Sequence, residues 1–188
     1  MHSIRSYSLI ALMLASVAST PESSAQTQPS TPQLPATLTD IEGQPVDVQQ
    51  LAAGHRLVVV TLKATWCSAC SRQLVRLRER KERFEACGVR FVVVSPGPRR
   101  ALKAIADRTR FPYPFVEDVN LDLARALRLE LAEDQIMPAL ILLDGERRIE
   151  WMQRGRNGAY FGDEALLRQL DCASVRTVSR TSCQIPMQ

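Results

Sequence analysis

The sequence predicts an α/β domain, a central mixed β-sheet flanked by helices on both faces. Three observations predict it. RLVVVTLKA (residues 56–64), VRFVVVS (89–95) and ALILLD (139–144) are apolar runs of the kind shown by strands covered on both faces. Helical spacing separates the first two, which suits a parallel pair joined by a crossover. Asp144-Gly145 is a hairpin turn signal leading into RRIEWMQR (147–154), which makes the sheet mixed.

Along the chain, residues 1–25 have the layout of a secretory leader: Arg5 without an acid, the apolar run LIALMLASVA, then the small-residue exit Ser23-Ser24-Ala25. Ten apolar residues are half of the roughly 20 that cross a bilayer. The expectation is cleavage, export to the periplasm or another oxidising compartment, and no stable membrane span afterwards. QTQPSTPQLPA (26–36) reads as a proline-rich linker. The predicted domain occupies 37–171, and 172–188 shows no periodicity.

Within the domain, LTDIEGQPVDV (38–48) reads as a hairpin turning at Glu42-Gly43, followed by a helical turn to Gly54. A helix is expected from Cys67 to about Ala86, closed by Gly88 in the left-handed position. Residues 99–107 look helical. FPYPF (111–115) must be extended, because two prolines prohibit a regular helix. Asn120 can cap the next helix, through Leu121, Leu123, Ala124 and Leu127. Gly162-Asp163 opens a last amphipathic helix through Leu166, Leu167 and Leu170.

Without Arg5 and Glu22 the net charge stays at +4, with 23 basic and 19 acidic residues. The densest basic run, RQLVRLRERKER (72–83), is interrupted by Glu79 and Glu82 and carries Leu74 and Leu77 at helical spacing. It reads as a solvated helix face, and nucleic acid is not an expected partner.

KATWCSAC (63–70) carries the chemistry. Cys67 closes the loop after a buried strand and Cys70 lies one helical turn on. The first N–H groups of a helix lack internal partners and carry about half a positive charge. A thiolate is therefore favoured at Cys67, with a thiol below the free value of about 8.5. Cys70 at i+3 can then attack a mixed disulfide on Cys67 and release the partner. A structural zinc site lacks a second ligand pair of suitable spacing, and protease-like chemistry would have only His55 as base. Soft thiolates could hold Cu(I). Redox chemistry is the favoured reading, with no metal and no cofactor beyond the redox-active disulfide.

The run LTDIEGQPVDVQQLAAGHRLVVVTLKATWCSAC resembles the thioredoxin-like proteins of the TlpA and ResA type, exported bacterial thiol-disulfide oxidoreductases. The resemblance extends from about Leu38 to Leu170 and implies a thioredoxin-like fold with a helical insertion before the strand that follows Pro138. By it, Cys67 is the nucleophile and Cys70 the resolving thiol. Trp66, Met137 and Pro138 contact the substrate, with Met137-Pro138 at the family's cis-proline position, presenting the Met137 backbone to an incoming peptide. The implied partners are protein thiols and disulfides, and a membrane electron donor of the DsbD type if the enzyme is a reductant.

The sequence departs from that pattern in places. Thr61 stands where thioredoxins carry a buried acid, Lys63 where many relatives have an aromatic, and Val75 where a helix-kinking proline is frequent. Lys63 either tunes the Cys67 thiol or points to solvent. The segment FPYPFVEDVNLDLARAL also resembles peroxiredoxins, which makes a thiol peroxidase the alternative. That family's motif places a proline seven residues before the cysteine and Thr or Ser three before it. Val60 and Ala64 occupy those positions, with Thr65 one residue out of register. A Cu(I)-binding or interaction module is a further alternative. Cys172 and Cys183 are close enough to staple the tail as a structural disulfide, and Cys87, far from Cys67 along its helix, reads as a buried inert thiol.

Overall fold

The structure, a computed structural model, describes residues 33–155 and 163–170. A hairpin of β1 (Thr37–Thr39) and β2 (Pro45–Asp47) opens the domain, its turn held by Asp40, whose carboxylate accepts the N–H groups of Glu42 and Gln44. Gly43 supplies the positive φ that this turn needs. Asp47 then caps the short helix α1 (Val48–Ala52) by accepting from the Gln50 N–H at 2.9 Å.

The predicted strands form as read. β3 (Arg56–Thr61) is followed by α2 (Ser68–Glu79) and α3 (Lys81–Ala86), which return the chain to β4 (Val89–Ser95), parallel to β3. Helix α4 (Arg99–Thr109) leads to β5 (Phe115–Glu117), parallel to β4. After α5 (Asp122–Ala126) comes a small hairpin, β6 (Glu130–Ala132) and β7 (Gln135–Ile136), then β8 (Ala139–Leu143), β9 (Ile149–Arg154) and α6 (Asp163–Leu170). The main sheet runs β5-β4-β3-β8-β9, with β8 antiparallel to both β3 and β9.

Alternate residues of the central strands feed two cores, as pleating requires. Val58, Val60 and Leu142 face Leu74, Phe84, Ile105 and Leu166 on one side. Leu57, Val59 and Ile141 face Val48, Leu123, Leu127 and Ile136 on the other. In the first core Phe91 is ringed by Phe84, Phe111 and Tyr113 at centroid separations of 5.2, 5.7 and 5.2 Å. Among the described residues no helix is long and apolar enough to cross a membrane.

Five expectations are corrected. The helix predicted over 67–86 is two, because Arg80 leaves helical geometry (φ −102°, ψ 10°) between α2 and α3. There its guanidinium lies 2.6 Å from both Asp163 and Glu164, a contact of charge, since the Nη1 hydrogens find no aligned acceptor. Asn120 does not cap α5. Asp118 does, from a buried position, accepting the N–H groups of Leu123 and Ala124 at 3.1 and 2.8 Å. The β6–β7 hairpin sits where only a helical insertion was expected. The linker read over 26–36 joins the fold before it ends, since Leu34 is buried and Gln33 bridges to Arg148. Finally, Met137-Pro138 is not cis: among the described residues the cis bond is Gly97-Pro98.

Candidate functional site

The loop after β3 is pinned at both ends. Leu62 extends the strand by donating to the Val94 carbonyl, and the Cys67 N–H donates to the Ala64 carbonyl at 3.1 Å. That turn sets Cys67 at the N-cap of α2 with extended backbone (φ −73°, ψ 97°). Cys67 and Cys70 form a disulfide with 5.3 Å between their Cα atoms. The two sulfurs differ in access: Cys67 is 8% exposed and Cys70 is 0% exposed. Each accepts a backbone N–H, Cys67 from Cys70 at 3.2 Å and Cys70 from Lys63 at 3.4 Å. The free N–H groups and partial positive charge of the helix start favour an anionic sulfur at Cys67 once the bond is reduced.

Trp66 is the most exposed of these residues, and the Lys63 ammonium lies 5.3 Å from its ring centroid. Lys63 thus engages the indole face as a cation–π partner, while its backbone touches Cys70. The carbonyl of Lys63 also accepts the Ile136 N–H at 3.0 Å, which ties the β6–β7 hairpin to the active loop.

Met137 and Pro138 lie beside this loop, but in an arrangement unlike the one the resemblance implies. The Met137 N–H donates to the Leu129 carbonyl at 2.6 Å, and the buried Thr61 hydroxyl donates to the Met137 carbonyl at 2.7 Å. Pro138 accepts the Gly155 N–H. The Met137 N–H is committed within the molecule and its carbonyl already accepts one hydrogen bond, so Met137 offers a peptide strand no free donor. The physical reason is the unpredicted hairpin: Met137 follows β7 directly, and Leu129, the residue just before β6, takes its N–H.

A cavity of about 520 Å³ opens on Cys67 between α2 and α4. Trp66, Val75 and Thr109 line it together with Thr65, Ser71, Arg72 and Arg108. A larger cavity, about 800 Å³ between β9 and α6, has no cysteine among its described lining residues. Thr65 therefore reaches the site although it stands out of register with the peroxidase motif, whereas Ala64 offers no hydroxyl. His55 precedes β3, a six-residue strand or about 20 Å from its other end, and cannot serve Cys67 as a base. Cys87, read as an inert thiol, is disulfide-bonded. The Cys172–Cys183 pairing lies outside the described residues, which also hold no group of three or more metal-ligating side chains. Sequence reasoning missed Arg72, Arg108 and the pinning role of Thr61. Arg72 and Arg108 are surface positions on two helices, and only their packing brings them to one cavity.

A mixed sheet wrapped on both faces, with a disulfide at the head of the helix after its central strand, defines a thiol-based oxidoreductase of thioredoxin-like fold. The chain belongs to the AhpC/TSA family, whose profile matches residues 30–152. A chloroplastic peroxiredoxin Q of Sedum lineare is 32% identical over 92 residues, 49% of this chain and 48% of that protein. The chain thus aligns with about half the length of that curated relative. Among solved structures, peroxidoxin BcpB of Mycobacterium tuberculosis matches with a TM-score of 0.62 at 19% identity, covering 76% of this chain and 92% of that one. A Xylella fastidiosa peroxiredoxin Q variant matches at 0.65 and 15% identity, covering 77% and 96%. At such identities the structures establish the fold. The resemblance to TlpA and ResA resolves to the broader redoxin group, since the relatives found are peroxiredoxins.

Proposed function

We propose that the chain is a thiol peroxidase that cycles through its CxxC pair, working outside the cytoplasm after loss of residues 1–25. The Cys67 thiolate attacks the terminal oxygen of a hydroperoxide. The O–O bond breaks, an alcohol or water leaves, and Cys67 becomes a sulfenic acid. Cys70 attacks that sulfur, water departs, and the Cys67–Cys70 disulfide forms. Two electrons from a thiol reductant restore the dithiol.

The observation that carries this reading is the contrast beside Cys67. The Met137 N–H that would pair with a peptide is taken within the molecule, while a cavity suited to a small substrate opens on the less buried sulfur. Membership of the AhpC/TSA family supports it further. Disulfide exchange with proteins is the second reading, favoured by the missing proline and hydroxyl at Val60 and Ala64 and by the exposure of Trp66.

Stopped-flow mixing of the reduced protein with hydrogen peroxide or tert-butyl hydroperoxide, read by mass-resolved alkylation of Cys67 and Cys70, separates the two. The expected result is disulfide formation well above the rate of free cysteine, with Cys67→Ser losing at least about 100-fold. A wild-type rate no greater than that of free cysteine, together with rapid reduction of a protein disulfide, would establish exchange instead.

A further inference from the structure

The oxidised form shown here must be reduced before another turnover, whatever oxidised it. The reductant can reach only one sulfur, because Cys70 is fully buried and Cys67 is not. The cavity between α2 and α4 opens on that residue. Two guanidinium groups stand in that cavity. Arg72 donates to the Ser68 hydroxyl at 3.3 Å and Arg108 to the Ser71 hydroxyl at 3.5 Å. Among the described residues neither has a carboxylate within ion-pair distance, a property they share with several other surface arginines. Among the described residues no acid lines the cavity. Among them, two cations without a carboxylate partner therefore share that cavity with the reacting sulfur. Arg72 is five residues along from Cys67, about 7.5 Å of helical rise, which its long side chain shortens.

We infer that this cavity selects a low-molecular-weight thiol bearing a carboxylate as the reductant of the Cys67–Cys70 disulfide. The carboxylate pairs with Arg72 and Arg108 while the thiolate of the same molecule attacks the Cys67 sulfur. A sulfur–sulfur bond forms to Cys67, the bond to Cys70 breaks, and Cys70 leaves as a thiolate facing the Lys63 N–H before taking a proton. A second thiolate then attacks the small molecule's sulfur, which releases Cys67 and a small symmetrical disulfide. Two electrons pass from two thiols to the protein. The inference rests on the proposed cycle only in taking this disulfide as its oxidised form, and no peroxide enters its test.

The test uses three small thiols that differ mainly in charge: 3-mercaptopropionate, 2-mercaptoethanol and cysteamine. Reduction of the oxidised full-length protein is followed per thiolate, and each rate is divided by that thiol's rate with a neutral small disulfide. This removes differences in intrinsic nucleophilicity. The anionic thiol should exceed the cationic one by about tenfold or more at low salt, and the ratio should fall towards one as salt screens the arginines. The variant R72Q/R108Q should bring the low-salt ratio to within about twofold, and R72K/R108K should retain most of it. A wild-type ratio near one, or a ratio that survives in R72Q/R108Q, overturns the inference. Failure of the peroxide assay alone would leave this result standing and remove only the peroxidase reading.

Discussion

Tyr113 donates its phenolic hydrogen to Glu85 at 3.0 Å, and burial against Phe91 and Phe111, joined by that carboxylate, pushes its pKa up to about 12. Glu85 is held below the usual carboxylate range, first by its hydrogen bond from Lys81, with desolvation opposing. The signs follow from linkage. A raised phenol contributes stability fully below its unfolded value near 10, and that contribution disappears as pH climbs through about 12. The lowered Glu85 contributes above its unfolded value and loses that as pH falls. In the folded protein, absorbance at 295 nm should show Tyr113 ionising near 12, and Tyr113→Phe should flatten the alkaline loss of stability. Because the chain holds three tyrosines, a wild-type minus Tyr113→Phe difference that titrates near 10 in the intact fold would contradict the assignment. Thr61 is a second residue with a definite role, because its hydroxyl holds the Met137 carbonyl in a buried setting. Thr61→Val should cost about 1–2 kcal/mol in urea unfolding, since the carbonyl loses its donor without reaching water.

Helix α5 owes its start to Asp118 rather than Asn120. Asp118→Ala should therefore destabilise by about 1–2 kcal/mol, and Asn120→Ala should be near neutral in the same denaturant series. A similar contrast holds at the junction of α2 and α3. Asp163 is buried and faces Arg80, whereas Glu164 is half-exposed. Asp163→Ala should cost about 2 kcal/mol by stranding a half-buried guanidinium, and Glu164→Ala less than about 0.5. These cases show what the sequence could express. The runs LVVV, FVVV and LILL declare buried strands because nothing else tolerates them, and the Asp144-Gly145 turn declared the hairpin. The break at Arg80 is silent in RLRERKER, where every residue is a fair helix former. At that break the guanidinium meets an acid over 80 positions away. Hairpin β6–β7 is silent too, since ELA and QI are short and largely exposed or half-buried.

Across the molecule, the cysteine pair was legible because two thiols after a buried strand can only land at a helix start. The surroundings were not. An X-Pro before a strand looks the same whether its bond is cis or trans, and here the hairpin that claims Met137 decides the matter. The cavity's arginines were hidden because α2 and α4 meet only in the folded chain. The fold brings one further residue to the site without burying it. Trp66 adjoins Cys67 in the chain and lines the same cavity, and the chain has two tryptophans. An excited indole loses its energy by passing an electron to a nearby disulfide, a route closed when the sulfurs are reduced. The emission of this protein should therefore brighten on reduction, and Trp66→Phe should abolish the change while Trp151 continues to glow. The cysteine pair carries its own lamp, and its change of redox state can be watched without a label.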